Sequence, residues 1–460
     1  MVATAREYIA GVKEGSIDPS ETIPEFIEQA KQIQKKYNAF ITLNEDVDFK
    51  PKGALAGLPV SVKDNICTKG IMTTAGSKIL EGYIPPFDAT AISKIKGEGA
   101  FILGKTAQDE FGFGTFSTNC AYGIPRNPLD TERSCGGSSG GAAALTAAAD
   151  FPHIAIAQST GGSITAPAAF TGTVGITPTY GRVSRYGLID YANSMDKIGV
   201  IAKNVYDAAL GLSVISGYDP MDSTSANVSA VDFTKSKAPA KPRIALPKQY
   251  FDSTTDKRVA GLVMKATEKM ESQGMVVEQV DMPLTKYSIP AYYMIAITEA
   301  STNLAKFCGL RYGMQPELKG NFDEYFSKVR SEGFGTEAKR RIILGTYARM
   351  TGFREAYYIK AMRVRAKITE EFKSVFKGFD AVATPSMPIL APRFSDIEKM
   401  SPIEIYNMDL MTTAANMCGL PTVSVPVGKI EGLPVGMQLI GDHFNEEKII
   451  GISAAVEGLE

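Results

Sequence analysis

The sequence predicts an α/β fold, a mixed or largely parallel β-sheet sandwiched between helices. Two observations point there. Short apolar runs punctuated by glycine recur from Ala54 onward, and stretches of helical character fall between them. Strands that alternate with helices are the pattern of a sheet covered on both faces. The 460-residue chain is 44% apolar and 22% charged, far from the composition of disordered chains. One large domain over 1–460 is expected, with 1–40 as a helical segment packed on it and 220–350 as a largely helical embellishment.

Taken in order, residues 1 to about 40 are charged and amphipathic, as helices lying on a larger body would be. AGLPVSVKD (56–64) and AFILGKT (100–106) read as buried strands, with DATAISKIKGEG (88–99) as the helix between them. GGAAALTAAA (140–149) is a helix of small residues, and HIAIAQ (153–158) is a strand that runs into the tight turn TGGSITAP. The polar, Pro/Ser-rich stretch 219–242 looks like a surface crossover. Val259, Leu262, Val263, Ala266 and Met270 form a helical stripe that Gly274 stops, before strand-like MVVEQV (275–280). DAVATPS (380–386), LPTVSVPVG (420–428) and PVGMQLIG (434–441) supply the late strands.

Lysine and arginine minus aspartate and glutamate is 49 − 50 = −1, so no global field draws nucleic acid or an anionic membrane to this chain. The least charged stretch, Ala142–Ile176, is too rich in Gly and Pro for a spanning helix, and no membrane contact is expected. The first residues show neither a signal-peptide apolar run nor an arginine-rich presequence. Five scattered cysteines, Cys67, Cys120, Cys135, Cys308 and Cys418, lack paired metal-site spacing and suit a reducing, cytoplasmic setting. No metal site is expected.

Two segments could carry chemistry. GGSSGG (136–141) is a glycine-rich turn before a helix, but neither a Walker loop nor a GxGxxG motif. In QSTGGSITAPAAF (158–170), Ser163 sits where a strand turns into a helix, beside free backbone N–H groups. That is the geometry an acyl-transfer oxyanion hole needs. The chain has only two histidines, His153 and His443, and neither is near Ser163 in sequence. A serine nucleophile therefore needs another activator, and Lys63, at the end of the apolar run GLPVSV, is the candidate. A lysine forced into a buried site loses its proton readily, because desolvation disfavours the cation. Asp64 next to it should face the other way, since successive strand residues point to opposite faces.

GLPVSVKDN, GGSSGG and STGGSI, in that order, resemble the three core motifs of the amidase signature family. The resemblance implies a Ser–cis-Ser–Lys triad: Ser163 as nucleophile, Lys63 as general base and Ser138 as proton relay, after a cis Gly137–Ser138 bond. The turn Thr160, Gly161, Gly162 and Ser163 would form the oxyanion hole. Finer segments, PTYGRVSRYGLIDYANSMDKIG (178–199), SGYDPMDSTS (216–225), EASTNLAKFCGLRYG (299–313) and RRIILGTYA (340–348), resemble the A-type branch that serves tRNA-dependent amidotransferases. That branch implies a glutaminase whose ammonia passes to a B-type subunit, which activates acyl-tRNA with ATP and magnesium, while a small C-type subunit wraps the junction. No cofactor is then expected in this chain, and tRNA would be contacted mainly through the partner.

By the same similarity Arg341 would clamp the glutamine carboxylate, Asp409 its ammonium, and Tyr293 would line the pocket. Arg340 and Tyr292 stay open as alternates. One departure stands out. The family usually writes SDTGGSIR where this chain has QSTGGSIT, so Ser159 and Thr165 replace an expected Asp and Arg. The expectation is a compensated swap in which both hydroxyls bond the local backbone. A free-standing amidase for small amides and an inactive scaffold homologue are the competing readings. Whether the product is Gln-tRNA, Asn-tRNA or both is not written in this chain.

Overall fold

The computed structural model describes residues 4–47, 50–252 and 255–458. Eleven strands form one mixed sheet: β1 (Phe40–Leu43), β2 (Pro59–Lys63), β3 (Phe101–Thr106), β6 (Ile154–Ser159), β7 (Val174–Thr177), β8 (Lys197–Ala202), β9 (Arg243–Pro247), β10 (Val276–Val280), β11 (Ala381–Pro385), β12 (Thr422–Ile430) and β13 (Leu433–Ile440). Their spatial order is β1-β3-β2-β6-β8-β7-β12-β13-β11-β9-β10, while β4 (Arg126–Asn127) and β5 (Asp130–Ser134) pair apart from it. β3, β2 and β6 run parallel, as do β11, β9 and β10, and the strands between are antiparallel. The central strands β2, β6, β8 and β13 are buried along their whole length. Strands covered on both faces read as continuous apolar runs, which is why the sequence announced β2, β3 and β6.

Helices cover both faces. Helix Pro19–Tyr37 starts where Asp18 caps Ser20 N at 2.8 Å, carries Pro19 in its first turn and ends at Asn38 in the left-handed region. Helix Lys257–Ser272 buries Val259, Val263, Ala266 and Met270, the predicted stripe, and Leu262 packs half-buried beside them. Residues 220–350, expected as largely helical, also contribute β9 and β10 to the edge of the sheet. β9, RIALP, pairs in parallel with β11 at Ile244 and Ala245, so long-range pairing decides its conformation.

A second apolar cluster forms where helix Ser288–Asn303 lies among Thr336–Ala348, Lys360–Val375 and Leu410–Met417. This helical group matters because it faces the carboxyl ends of β2 and β6. In open α/β sheets, sites form in that crevice.

Candidate active site

Lys63 is the last residue of β2, and its side chain is fully buried. Its Nζ lies 2.8 Å from Ser138 Oγ, 2.8 Å from the Gln158 carbonyl oxygen and 3.2 Å from Gln158 Oε1. Burial pulls its pKa down to about 7, against the opposing pull of the Asp109 and Asp196 carboxylates. Asp64 faces the other way, as alternation requires. It accepts hydrogen bonds from Thr74 N at 2.9 Å and Gly76 N at 3.2 Å and lies 3.9 Å from Lys105 Nζ.

The Gly137–Ser138 peptide bond is cis. Ser138 and Ser139 precede helix Gly140–Ala148, whose small side chains let it lie close against β6 and β2. Ser163 follows β6 and comes just before helix Thr165–Thr171, with 8% of its surface exposed. It opens into a small cavity together with Gly161, Gly162 and Gly137. Here glycine is required by close approach: a Cβ on Gly161 would stand 2.5 Å from the Tyr292 ring, and one on Gly162 would strike Thr412 Oγ1. Among the described residues Ser138 Oγ and Ser163 Oγ share no direct hydrogen bond.

The far wall of the cavity is polar and comes from the helical group. Arg341, Asp409, Tyr292 and Tyr293 all line it. Arg341 is 3% exposed, donates through Nε to Glu337 Oε1 at 2.8 Å and through Nη1 to the Tyr191 hydroxyl. Phe113, Tyr191, Tyr293 and Tyr406 surround its guanidinium at 5.0–5.6 Å, a cation–π cage that holds the plane fixed. Arg340 instead reaches Glu337 from a side chain that is 38% exposed, so Arg341 is the arginine of the cavity. Asp409 accepts from Tyr293 Oη at 2.7 Å and Thr115 Oγ1 at 3.0 Å, and burial pushes its carboxyl up to about 6. One small cavity thus presents a serine hydroxyl, a buried cation and a buried carboxylate.

The amidase family model matches residues 20–450. The chain belongs to the amidase family. It is 44% identical to the A-type subunit of glutamyl-tRNA(Gln) amidotransferase from Persephonella marina, covering 96% of this chain and 94% of that one. The same-named protein of Sulfurisphaera tokodaii is 43% identical, over 96% and 95% of the two chains. Among solved structures, the corresponding glutamyl-tRNA(Gln) amidotransferase chain from Thermotoga maritima superposes with a TM-score of 0.84 at 37% identity, over 99% of this chain and 94% of that one.

Within this amidase, the sequence-predicted residues Lys63, Ser138, Ser163, Thr160, Gly161, Gly162, Arg341, Asp409 and Tyr293 gather in or directly behind the cavity. Both histidines lie elsewhere: His153 is buried between Thr146 and Ser61, and His443 meets the Cys418 carbonyl. Among the described residues, no cluster of three or more His, Cys, Asp or Glu could hold a metal ion, and no helix is long and apolar enough to cross a membrane.

The expected local bonding of Ser159 and Thr165 is corrected. Ser159 Oγ donates across the fold to Asn416 Oδ1 at 3.2 Å, and the buried Thr165 Oγ1 has no hydrogen-bond partner among the described residues. Ser159 ends a strand and points outward from the turn, whereas Thr165 begins a helix and is packed on all sides. Sequence reasoning also missed Asp109, Thr115, Gln158, Tyr191 and Asp196. Asp196 is fully buried, takes N–H groups of Tyr191 and Ala192 at 2.8 and 2.9 Å and the Thr160 hydroxyl at 2.6 Å, and burial raises it to about 7. A buried carboxylate in an Asn-Ser-Met-Asp loop gives no local sequence signal.

Proposed function

We propose that this amidase is the glutaminase subunit of a tRNA-dependent amidotransferase. It hydrolyses glutamine to glutamate and ammonia, and a B-type partner uses the ammonia to amidate Glu-tRNA(Gln), Asp-tRNA(Asn) or both. A C-type subunit completes the complex, and activation of the acyl-tRNA with ATP and magnesium belongs to the B-type partner. The observation that carries this reading is the polar wall opposite Ser163. Free glutamine is zwitterionic at its α-carbon, and Arg341 and Asp409 offer one cation and one anion in the same cavity. Near-full-length likeness to A-type amidotransferase chains supports it independently.

The geometry supports the following chemistry. Neutral Lys63 draws the proton of Ser138, which takes the proton of Ser163 as its Oγ attacks the glutamine carboxamide carbon. The carbonyl oxygen becomes an oxyanion facing the N–H groups of the turn Thr160–Ser163. Lys63 then returns a proton through Ser138 to the leaving nitrogen, the C–N bond breaks and ammonia departs. Water, deprotonated by the same base, attacks the acyl-Ser163 ester; the C–Oγ bond breaks, Ser163 Oγ takes that proton back through Ser138, and glutamate is released. The balance is glutamine plus water to glutamate plus ammonia.

Affinity capture of the full chain from its native host, followed by glutamine turnover with and without the co-purifying subunits, tests the proposal. The expected result is a B-type partner and glutaminase activity stimulated by acyl-tRNA. Turnover of plain aliphatic amides with glutamine inert would establish the free-standing amidase instead. A Ser163 that resists acylating and sulfonylating reagents would establish the scaffold.

A further inference from the structure

Gln158 meets Lys63 twice, and the two contacts together decide where the lysine lone pair can point. A neutral amine has two N–H bonds and one lone pair. Of its three neighbours, the Gln158 carbonyl oxygen at 2.8 Å and Gln158 Oε1 at 3.2 Å can only accept, whereas Ser138 Oγ at 2.8 Å can donate. The hydrogen-bond network orients the amide. Its Nε2 donates to Thr160 Oγ1 at 2.7 Å and Asp196 Oδ1 at 3.0 Å, and Oε1 also accepts from Asn65 Nδ2 at 3.2 Å. Reversal would set N–H against N–H at Asn65 and place oxygen against the Asp196 carboxylate.

We propose that Gln158 is the positioning residue of the general base: its two carbonyl oxygens take both N–H bonds of neutral Lys63 and leave the lone pair aimed at Ser138. Asp196 acts one step further back, holding the Gln158 amide and the Thr160 hydroxyl in one orientation. Base and oxyanion turn are therefore tied to a single buried carboxylate.

This rests on the reading of Lys63 as the base, and the test separates it from the glutaminase reading. The readout is the rate at which phenylmethanesulfonyl fluoride modifies Ser163, followed by intact mass from pH 5.5 to 9.5 in the full-length chain. Labelling needs the base but not glutamine, so a wild type that labels yet leaves glutamine untouched breaks only the glutaminase proposal. The ionisable groups facing Lys63 are Asp109 and Asp196, and both remain in every variant.

Gln158→Met keeps the volume and the backbone carbonyl but removes Oε1. The labelling plateau should fall about 10-fold or more, a fraction of the roughly 10²–10⁴-fold that general-base catalysis contributes. The acid limb should move down, because an acceptor that favours the ammonium is gone. Gln158→Glu keeps an oxygen toward Lys63 and adds negative charge, so its acid limb should move up. Opposite movement of the limb in two variants of the same buried position is not a packing effect. If both limbs coincide with the wild type, or Gln158→Met labels at the wild-type rate, the proposal is overturned. Should Gln158→Met not fold, the upward limb of Gln158→Glu decides alone.

Discussion

Lys63 and Lys105 lie on neighbouring parallel strands, both fully buried, and they face opposite sides of the sheet. Lys105 pairs in register with Val62 and Lys63 with Thr106, so the period-2 alternation of strands sends their side chains apart. Lys105 Nζ donates to the Ile66 carbonyl at 2.6 Å and Thr73 Oγ1 at 2.7 Å, with Asp64 at 3.9 Å. Burial lowers it to about 8, with Asp64 as the main opposing charge. Lys63, lowered to about 7, meets the Ser138 hydroxyl at 2.8 Å and no carboxylate within ion-pair distance among the described residues. Burial depresses both lysines. Each also meets a hydroxyl, but only that of Lys63, Ser138, lies behind the cavity that Ser163 lines.

The sharpest way to break this comparison is to delete each lysine. Lys63→Met should lower glutamine hydrolysis by about 10³-fold or more, as should Ser163→Ala, and the double variant should be little worse than either alone. Lys105→Met should leave kcat within about 10-fold of wild type, because Lys105 reaches neither serine. Steady-state ammonia release checks both, and equal losses from the two lysines would dissolve the distinction. At the other wall, Asp409→Asn should reduce kcat/KM for glutamine about 100-fold while sparing an aliphatic amide that lacks the α-ammonium. Arg341→Lys should do the same, since a point charge does not reproduce a caged planar fork. Equal losses on both substrates would make these residues structural.

Stability should separate the lysines in sign. The unfolded value of a lysine is about 10.4, and the folded value of Lys63 is about 7. Between these pH values the unfolded chain binds the extra proton, so the penalty for burying Lys63 is full below about 7 and is relieved as pH rises toward 10.4. Lys63→Met should therefore raise the denaturant midpoint at pH 7 and flatten its rise with pH. Lys105→Met should lower the unfolding free energy by roughly 3–5 kcal/mol, because Asp64 then loses its buried partner. Urea melts at pH 7 and 9 decide this. Glutaminase kcat/KM should likewise climb as pH passes through about 7, as the base sheds its proton.

The parts of this site that were legible in the sequence are those with a local signature. Lys63 ends an apolar strand where solvated lysine does not belong, and Ser163 follows two glycines at a strand-to-helix turn. Arg341, Asp409 and Tyr293 were reached only through family resemblance, because an arginine in a helix and an aspartate before one look ordinary alone. Gln158 and Asp196 stayed invisible for a physical reason: their roles arise from contacts across 95 residues of chain to Lys63 and 38 residues between the two. The strands behave alike. β2, β3, β6, β10, β11, β12 and β13 announced themselves as short apolar or strand-like runs, whereas β7 and β8, VGIT and KIGVIA, were not read as strands. They hold their places through antiparallel pairing with each other, β6 and β12. Lys197 in β8 is buried because its Nζ donates to the Leu420 carbonyl at 2.7 Å, a partner 223 residues away.

The smallest expected effects concern Ser159 and Thr165, which the family pattern suggested as a coupled pair. The structure gives them different surroundings. Ser159 Oγ bonds Asn416 Oδ1 at 3.2 Å, and Thr165 Oγ1 is buried with no partner among the described residues. Removing one member of a buried hydrogen bond leaves the other unsatisfied, so Ser159→Ala should cost about 1–2 kcal/mol. An enclosed hydroxyl with no partner is a liability, and Thr165→Val, which keeps the branched shape, should stabilise the fold by about 0.5–1 kcal/mol. The two share no hydrogen-bond partner, so the double variant should equal the sum within about 0.5 kcal/mol. Neither change touches Lys63, Ser138 or the cavity wall, and glutaminase rates should stay within about 3-fold of wild type. A thermodynamic cycle by urea denaturation, paired with ammonia release for all four proteins, measures both quantities. A coupling energy above about 1 kcal/mol, or a rate loss in the double variant that neither single shows, would restore the paired reading. It would also mean that the nucleophile turn is braced from both sides after all.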